Sequence, residues 1–146
     1  MSVKLEYSTV AACSPEAVWK LFSQTDLWAQ WTTFIQGARW ISGEPWQQGS
    51  EMELTVTQPP LKLKGKLVEA KPPFVFRIDG GAMGMTVQHE FAFVEQADKT
   101  LMATRMTLSG PATMFINDGI KDRAVKGFAQ WFERLKTEAE SGQKTV

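Results

Sequence analysis

Hydrophobic residues in the last third of the chain recur at three- and four-residue intervals, as on one face of an α-helix. Pro111 suits the first position of such a helix, with Ser109 or Gly110 as its cap, and Gly142 suits its end. The apolar arc comprises Met114, Ala124, Val125, Phe128, Trp131, Phe132, Leu135 and Ala139. The pattern therefore predicts one long helix, residues 111–141, that lies on a broad apolar surface.

Two polar residues interrupt this arc on the side of Phe128. Asn117 and Lys121 both lie in the N-terminal half of the predicted helix. We therefore expect that half to face a region that tolerates polar groups, while the C-terminal half packs in a dry interior.

Alternation of polar and apolar residues predicts strands in most of the remaining chain. Ser14-Pro15-Glu16 has the cap, proline and acidic residue typical of a helix start, and a second short helix follows from Thr25 or Asp26. The predicted strands are residues 3–11, 38–42, 51–58, 61–71, 74–79, 83–95 and 99–109. This order predicts an α+β fold, with two short helices after the first strand and the long helix laid across an antiparallel sheet.

Three hairpins can be paired symmetrically so that each gains one apolar face and one polar face. Their predicted turns are Pro59-Pro60, Gly80-Gly81 and Ala97-Asp98. The resulting pairs include Leu54 with Gly65, Phe76 with Met85, and Phe91 with Thr104. The third hairpin also makes His89 and Thr104 diagonal neighbours. The six internal methionines then point inward, where their flexible side chains suit the walls of an adaptable cavity: Met52, Met83, Met85, Met102, Met106 and Met114.

Length and charge narrow the classes of protein. The 146 residues suffice for one domain, residues 1–146, with a substantial core. Sixteen basic and sixteen acidic side chains balance, which argues against non-specific nucleic-acid binding. Cys13 is the only cysteine, which favours a reducing compartment, and we find no signal peptide or run of apolar residues as long as a membrane span. We expect a cytoplasmic protein that neither inserts into membranes nor binds nucleic acid.

Candidate chemical groups are sparse. His89 is the only histidine, and with one cysteine it cannot supply the usual ligands of a zinc site, so we expect no metal and no cofactor. Residues 80–84 are rich in glycine, but they lie in a predicted hairpin with no helix after it, so we interpret them as a turn rather than a phosphate loop.

Two tryptophan-containing segments resemble a known family. The segments 14–19 (SPEAVW) and 26–31 (DLWAQW) resemble the opening motifs of polyketide cyclase/dehydrase-like members of the START/Bet v 1-like (SRPBCC) superfamily. Further residues continue the resemblance over nearly the whole chain: Gly49, Gly65, Glu69, Pro72, His89-Glu90-Phe91, Thr100 and Leu135-Lys136. The resemblance implies a helix-grip fold, in which a seven-stranded antiparallel sheet wraps the C-terminal helix around an apolar cavity.

Members of this family bind or transport hydrophobic small molecules such as lipids and polyketides, and a minority catalyse cyclisation or dehydration. Because the predicted inner face is almost entirely apolar, we favour a binding protein for such a molecule. The predicted wall residues are Met52, Phe76, Met85, Phe91, Met102, Met106 and Phe128, and the predicted polar anchors are His89, Thr104, Asn117 and Lys121.

Alternatives remain open at this point. His89 can be a core histidine satisfied within the structure, and Lys121 can extend its stem toward water. The chain can instead be a cyclase- or dehydrase-type enzyme, in which case His89 is the only candidate acid or base. A third hypothesis is a protein-interaction module. The sequence does not indicate the oligomeric state.

Overall fold

The computed structural model describes residues 2–57, 60–82 and 84–144. The strands are β1 (Ser2–Ala11), β2 (Ile35–Ser42), β3 (Glu51–Thr57), β4 (Pro60–Lys71), β5 (Val75–Ala82), β6 (Met85–Gln96) and β7 (Lys99–Ser109). The α-helices are α1 (Pro15–Phe22), α2 (Trp28–Trp31) and α3 (Asp118–Lys144). Two short 3₁₀ helices cover Thr25–Leu27 and Pro111–Phe115.

The strands form an antiparallel sheet in the order β1-β7-β6-β5-β4-β3-β2. Buried and more exposed side chains alternate along β3 and β7, as a sheet with one covered face requires. The covered face packs against α3 and the short helices, with α3 in contact with β1, α1 and α2. The predicted α+β helix-grip architecture is confirmed.

The start of α1 matches the capping pattern of its sequence. The Ser14 hydroxyl oxygen accepts a hydrogen bond from the amide of Ala17 at 3.2 Å, and Pro15 occupies the first helical turn. At the other end of α1, the Trp28 indole donates to the Phe22 carbonyl oxygen at 2.7 Å. The Trp28 bond fixes α2 against α1, and the helix pair predicted after β1 is confirmed. The second helix begins as the 3₁₀ turn Thr25–Leu27, and neither Thr25 nor Asp26 caps it.

The C-terminal helix begins later than its apolar pattern predicts. Asn117 caps α3, because its side-chain oxygen accepts from the amide of Ile120 at 2.9 Å. The proline at 111 starts a separate 3₁₀ turn, and the extended backbone of Ile116 interrupts the helical path. The predicted caps Ser109 and Gly110 are therefore wrong. The predicted stop at Gly142 is also wrong, since α3 continues through it to residue 144.

One of the three predicted hairpin registers is confirmed and two are displaced. Phe91 lies opposite Thr104, as predicted, and β6–β7 keeps this register along its length. In β3–β4, Leu54 lies opposite Leu63, which moves the predicted pairing by two residues and preserves the buried face. The β3–β4 turn lies outside the described residues, except for Pro60, the first residue of β4.

The β5–β6 hairpin turns later than predicted. Phe76 lies opposite Phe91, not Met85, because β5 continues through the supposed turn at residues 80–81. Gly80 pairs with Gly65 of β4, where a Cβ atom on Gly80 would overlap the Lys64 carbonyl oxygen. Glycine is therefore needed at position 80 because two strands approach closely there, and not because the chain turns.

A methyl group at position 80 tests this explanation. We expect Gly80→Ala to destabilise the fold by about 2 kcal/mol, because β4 and β5 must separate to accommodate it. Gly37→Ala is the matched control, since nothing lies within 4 Å of its Cβ position in β2. In urea unfolding, only Gly80→Ala should have a lower midpoint concentration than the parent protein. Equal midpoints for the two variants would show that the close approach of the strands is not essential.

A polar contact holds β1 against α3. The Tyr7 hydroxyl donates to the Glu133 carboxylate at 2.6 Å. Burial, together with this bond and the nearby negative charge, raises the pKa of Tyr7 to about 12. The bonds from Tyr7 and Thr9 lower the pKa of Glu133. The pair therefore stays as phenol and carboxylate through the neutral range and fixes the C-terminal half of α3.

Candidate functional site

The middle of the covered sheet face is filled by aromatic rings rather than by a hollow. Phe22 of α1 lies at the centre of this aromatic cluster and is fully buried. Seven rings have centroids between 4.9 and 6.4 Å from that of Phe22: Trp19, Trp28, Trp46, Phe76, Phe91, Phe93 and Trp131. The C-terminal half of α3 therefore packs on a solid core, as its uninterrupted apolar stripe predicts.

A cavity of about 270 Å³ lies beyond this cluster, beneath the first turns of α3. All of its lining side chains are hydrophobic. They include Leu63, Met85, Met106, Phe115, Ile120 and Ala124. We call this space the apolar cavity. It can hold a hydrocarbon group without leaving any side-chain polar group of its wall unpaired.

The 3₁₀ turn before α3 forms one side of the apolar cavity and also faces solvent. Phe115 contributes to the lining and is nevertheless 75 % exposed, and its neighbour Met114 is 74 % exposed. The predicted inward orientation of Met114 is therefore wrong, because Met114 precedes the α-helix on which that orientation depended. Two large apolar side chains thus meet water at the border of the cavity.

A second, smaller space of about 30 Å³ adjoins the first. His89, Phe91 and Met52 line it, and it reaches the glycine pair of β4 and β5. Leu63 and Met106 line both spaces. We call the smaller space the inner cavity. Its volume suffices for one water-sized group.

His89 is the buried polar side chain on the lining of the inner cavity, which the exposed Lys64 also borders. Its Nε2 atom lies 3.0 Å from the Thr104 hydroxyl oxygen, which confirms the predicted neighbour relation of the two residues. The ring also packs against Phe91 and Phe128, with centroids 4.2 and 5.6 Å away. Burial lowers the pKa of His89 to about 3. The imidazole is therefore neutral at pH 7, which argues against His89 as a general acid or base near neutrality.

The structure distributes the remaining predicted contact residues over several environments. Met85 and Met106 line the apolar cavity. Met52 and Phe91 line the inner cavity. Phe76, Met102 and Phe128 are fully buried and line neither cavity. Met83 lies outside the described residues.

Asn117 and Lys121 line neither cavity. Asn117 caps α3, and the Lys121 side chain is 41 % exposed and lies 3.8 Å from the Asp118 carboxylate. Both residues are next in sequence to lining residues, Ile116 and Ile120. Their contact with a ligand stays a prediction.

Several wall residues were missed at the sequence level, and Ala124 shows why. It lies within the predicted apolar arc of the last helix, but a small side chain in such an arc is not a sign of a hollow. The sequence around Ile120 likewise does not indicate a cavity. The structure shows that these two residues lie above the cavity and not above the aromatic cluster.

A larger depression, about 690 Å³, lies on the opposite face of the sheet. Its walls mix small residues with charged ones, including Glu6 and Arg105, which pair with each other at 2.9 Å. The apolar cavity, by contrast, is lined by hydrophobic side chains throughout. The apolar cavity is therefore the better candidate for a binding site.

Comparison with family models decides the family. Residues 2–140 match the model described as "Polyketide cyclase / dehydrase and lipid transport". The chain belongs to this family. The tryptophan segments resemble those of polyketide cyclase/dehydrase-like proteins, so the predicted family is confirmed. The comparison with curated proteins gives no match.

Solved structures share the fold at low sequence identity. Ara h 8.0201 is 12 % identical with a TM-score of 0.70, over 97 % of this chain and 99 % of that one. A START superfamily protein from Mycobacterium smegmatis is 14 % identical with a TM-score of 0.72, over 94 % and 97 %. The di-domain ARO/CYC protein StfQ from the steffimycin biosynthetic pathway is 11 % identical with a TM-score of 0.72, and the match covers all of this chain but 53 % of StfQ.

Two further findings concern the described part of the chain. None of its helices combines the length and apolar character needed to cross a membrane. Its histidine, cysteine, aspartate and glutamate residues form no group of three or more that could hold a metal ion.

Proposed function

We propose that this protein binds a hydrophobic small molecule in the apolar cavity, as a carrier or sequestering protein. The observation that carries the proposal is a space of about 270 Å³ with an entirely hydrophobic lining. Protein interiors are close-packed, and voids much larger than a water molecule are uncommon in them. Membership of a family described by lipid transport as well as by cyclase activity supports the same function.

The volume and lining of the cavity indicate the kind of molecule. Sites for drug-sized ligands usually span about 300–1,000 Å³, so a small, largely hydrocarbon ligand fits this cavity best. The lining offers no titratable side chain that could act on such a ligand. Binding therefore has more support than catalysis. A cytoplasmic location, which the single cysteine favours, is part of the proposal.

We place the entrance at the 3₁₀ turn before α3. Phe115 both lines the cavity and faces solvent, so rotation of one side chain would change access. Thr113 holds the turn from inside, where its hydroxyl donates to the Gly110 carbonyl oxygen at 2.7 Å. A hydrophobic ligand that meets Met114 and Phe115 would have a short path into the interior.

Filling the cavity tests the proposal. We expect Ala124→Phe to lower the affinity for 4-ethyltoluene at least about tenfold, or 1.4 kcal/mol, because the added ring occupies the ligand's space. Isothermal titration calorimetry gives the affinity. Ala129→Phe is the matched control, since Ala129 lies on the same helix but lines neither cavity, and it should bind like the parent protein.

Equal affinity of the parent and Ala124→Phe would place the ligand elsewhere and contradict the proposal. Native mass spectrometry of the purified protein adds an independent observation. Extra mass that is lost on denaturation, and that is absent from Ala124→Phe, would identify a ligand of the apolar cavity directly.

A further inference from the structure

The face of the sheet that turns away from α3 carries an exposed apolar row. Val10 of β1, Leu101 of β7 and Val94 of β6 lie side by side in the register, and the two valines are 42 and 43 % exposed. The next row along the strands contains Ala103 opposite Ala92. Single exposed apolar residues are common, but three neighbours beside a row of small residues form a continuous patch. We call this face of β1, β7, β6 and β5 the outer face.

Beside this patch runs a row of charged side chains whose signs alternate from strand to strand. Glu6, Arg105, Glu90 and Arg77 are direct neighbours across the four strands of the outer face. Arg105 pairs with Glu6 at 2.9 Å, and Arg77 pairs with Asp79 at 2.8 Å. Among the described residues, no basic side chain forms a salt bridge with Glu90. The Glu90 carboxylate therefore has capacity for a further cation.

A row of four alternating charges is complementary to its own reverse. Consider a two-fold axis that lies midway between two outer faces, parallel to the strands and between β7 and β6. The axis turns a second copy face to face and reverses the order of its strands. Arg105 then faces the partner's Glu90, and Glu6 faces the partner's Arg77. A two-fold axis across the strands at this row would set each charge against its own counterpart, so the order of the charges favours the first axis.

The three neighbouring rows fit the same axis. One row pairs apolar side chains, one pairs small side chains, and the row beyond the charges pairs hydrogen-bonding and oppositely charged groups. Their facing pairs are Leu101 with Val94, Ala103 with Ala92, Ser8 with Val75, Thr107 with Gln88, and Lys4 with Asp79. In these four rows, all of which the structure describes, like charges never face each other. The agreement of four rows on one axis indicates a second copy of this chain as the partner.

The size of the outer face sets the strength expected of such a pairing. Packed sheets lie about 10 Å apart, a distance that one arginine and one glutamate side chain can span together. Four strands and four rows of side chains cover roughly 500 Å² per copy at the usual strand and residue spacings. This is near the lower limit for a specific interface, so the dimer should be weak and reversible. Because packed sheets twist, the pairs nearest the axis align best, among them Arg105 with the partner's Glu90.

We propose that this protein forms a symmetric homodimer through the outer face, with the two sheets packed face to face about an axis parallel to their strands. Arg105 pairs with the partner's Glu90 on both sides of the axis, and Leu101 packs against the partner's Val94. The apolar cavity lies on the other side of the sheet, so both copies keep their ligand sites. The inference goes beyond the proposed function and does not depend on it.

Charge reversal next to the axis tests this arrangement. We expect Arg105→Glu and Glu90→Arg each to raise the dissociation constant of the homodimer at least about tenfold, because each variant sets like charges together twice. Sedimentation velocity over a range of protein concentrations gives this constant. Lys62→Glu is the matched control for Arg105→Glu. It changes the net charge equally, but it is an exposed residue of β4, outside the four strands of the outer face, and should leave the dimer unchanged.

A mixture of the two variants is the sharper test. When Arg105→Glu meets Glu90→Arg, both facing pairs again join opposite charges, so the mixed dimer should form within about threefold of the parent affinity. Fluorescence-detected sedimentation of labelled Arg105→Glu measures this association. Glu44→Arg is the control partner, because it has the same net charge as Glu90→Arg but lies between β2 and β3. It should bind labelled Arg105→Glu at least about tenfold more weakly than Glu90→Arg does.

Several outcomes would overturn the proposal. One is a parent protein that stays monomeric up to about 1 mM, where even a weak specific interface should form. Another is a dimer that Arg105→Glu leaves unchanged, since its interface would lie elsewhere. Two single variants that stay monomeric when mixed would contradict the facing of Arg105 and Glu90. Binding of 4-ethyltoluene should be equal in Arg105→Glu and the parent, so the dimer and the proposed function can fail separately.

A measurement on the unaltered protein covers the case in which a variant does not fold. Like charges side by side on neighbouring strands are destabilising, so circular dichroism first checks the fold of both variants. In the parent, dilution from dimer to monomer should shift the backbone amide resonances of residues 88–94 and 101–107 and leave those of α3 unchanged. Shifts confined to other elements would contradict the proposal.

Discussion

Phe22→Ala is expected to destabilise the protein by about 3–5 kcal/mol, the largest loss from any single truncation that we predict. The ring is fully buried at the centre of the aromatic cluster, where the centroids of Phe91 and Phe93 lie 4.9 and 5.0 Å away. Because most of its neighbours belong to the sheet or α3, the surrounding structure cannot collapse easily into the gap. Urea unfolding followed by tryptophan fluorescence measures the loss.

Phe74→Ala is the control for this prediction, because it makes the same chemical change at the surface. The Phe74 side chain is 43 % exposed just before β5, and its truncation should cost less than about 1 kcal/mol. If the two variants were equally stable, the aromatic cluster would not be the main source of stability. A loss of about 4 kcal/mol is a large share of a typical total of 5–15 kcal/mol, so at the lower end of that range a measurable fraction of the variant would be unfolded.

The hairpins show which parts of the fold a sequence can predict. The β6–β7 register follows from strict alternation on both strands and a two-residue turn, and it was predicted correctly. A displacement of two residues, as in β3–β4, keeps every side chain on its face, so alternation cannot detect it. The β5–β6 hairpin was misplaced because Gly80 has the chemistry of a turn residue but serves close strand contact.

The C-terminal helix shows a second limit. Pro111 and Asn117 are both good helix starts by their chemistry, and only the course of the chain after β7 selects the second. The choice matters for function. With the later start, Met114 leaves the apolar stripe, and together with Phe115 it forms the exposed border of the cavity.

The contact between His89 and Thr104 was predictable from the sequence, but the boundaries of the apolar cavity were not. His89 and Thr104 followed from strand register alone. The division between core and cavity did not, because Phe76 and Met85 are both apolar residues on the covered face, yet one lies in the solid cluster and the other lines the hollow. An empty space depends on the summed volumes of many side chains, which no local pattern records.

Stability should fall steeply in mild acid, and His89 should account for much of that loss. The unfolded chain has the ordinary histidine pKa of 6.5, whereas burial lowers the pKa in the folded protein to about 3. Below pH 6.5 the unfolded state binds a proton that the folded state does not, so each further fall in pH favours unfolding. Between pH 6.5 and 4 this effect removes roughly 3 kcal/mol of unfolding free energy. Chemical denaturation across this range measures it.

His89→Gln isolates the contribution, because an amide can still bond to Thr104 but does not titrate. The ring neighbours of His89 are the uncharged side chains of Phe91, Phe128 and Trp131, and burial is the one cause of its altered pKa. Glu133 also contributes to acid sensitivity, because its pKa is lower in the folded protein than in the unfolded chain. Its stabilising effect is complete above the ordinary pKa of a glutamate and is lost as the pH falls through the lower pKa of the folded protein. That loss is common to both proteins. The slope of stability against pH between 6.5 and 4 should therefore be much shallower for His89→Gln, and equal slopes would mean that His89 is hydrated and accepts its proton in the folded state.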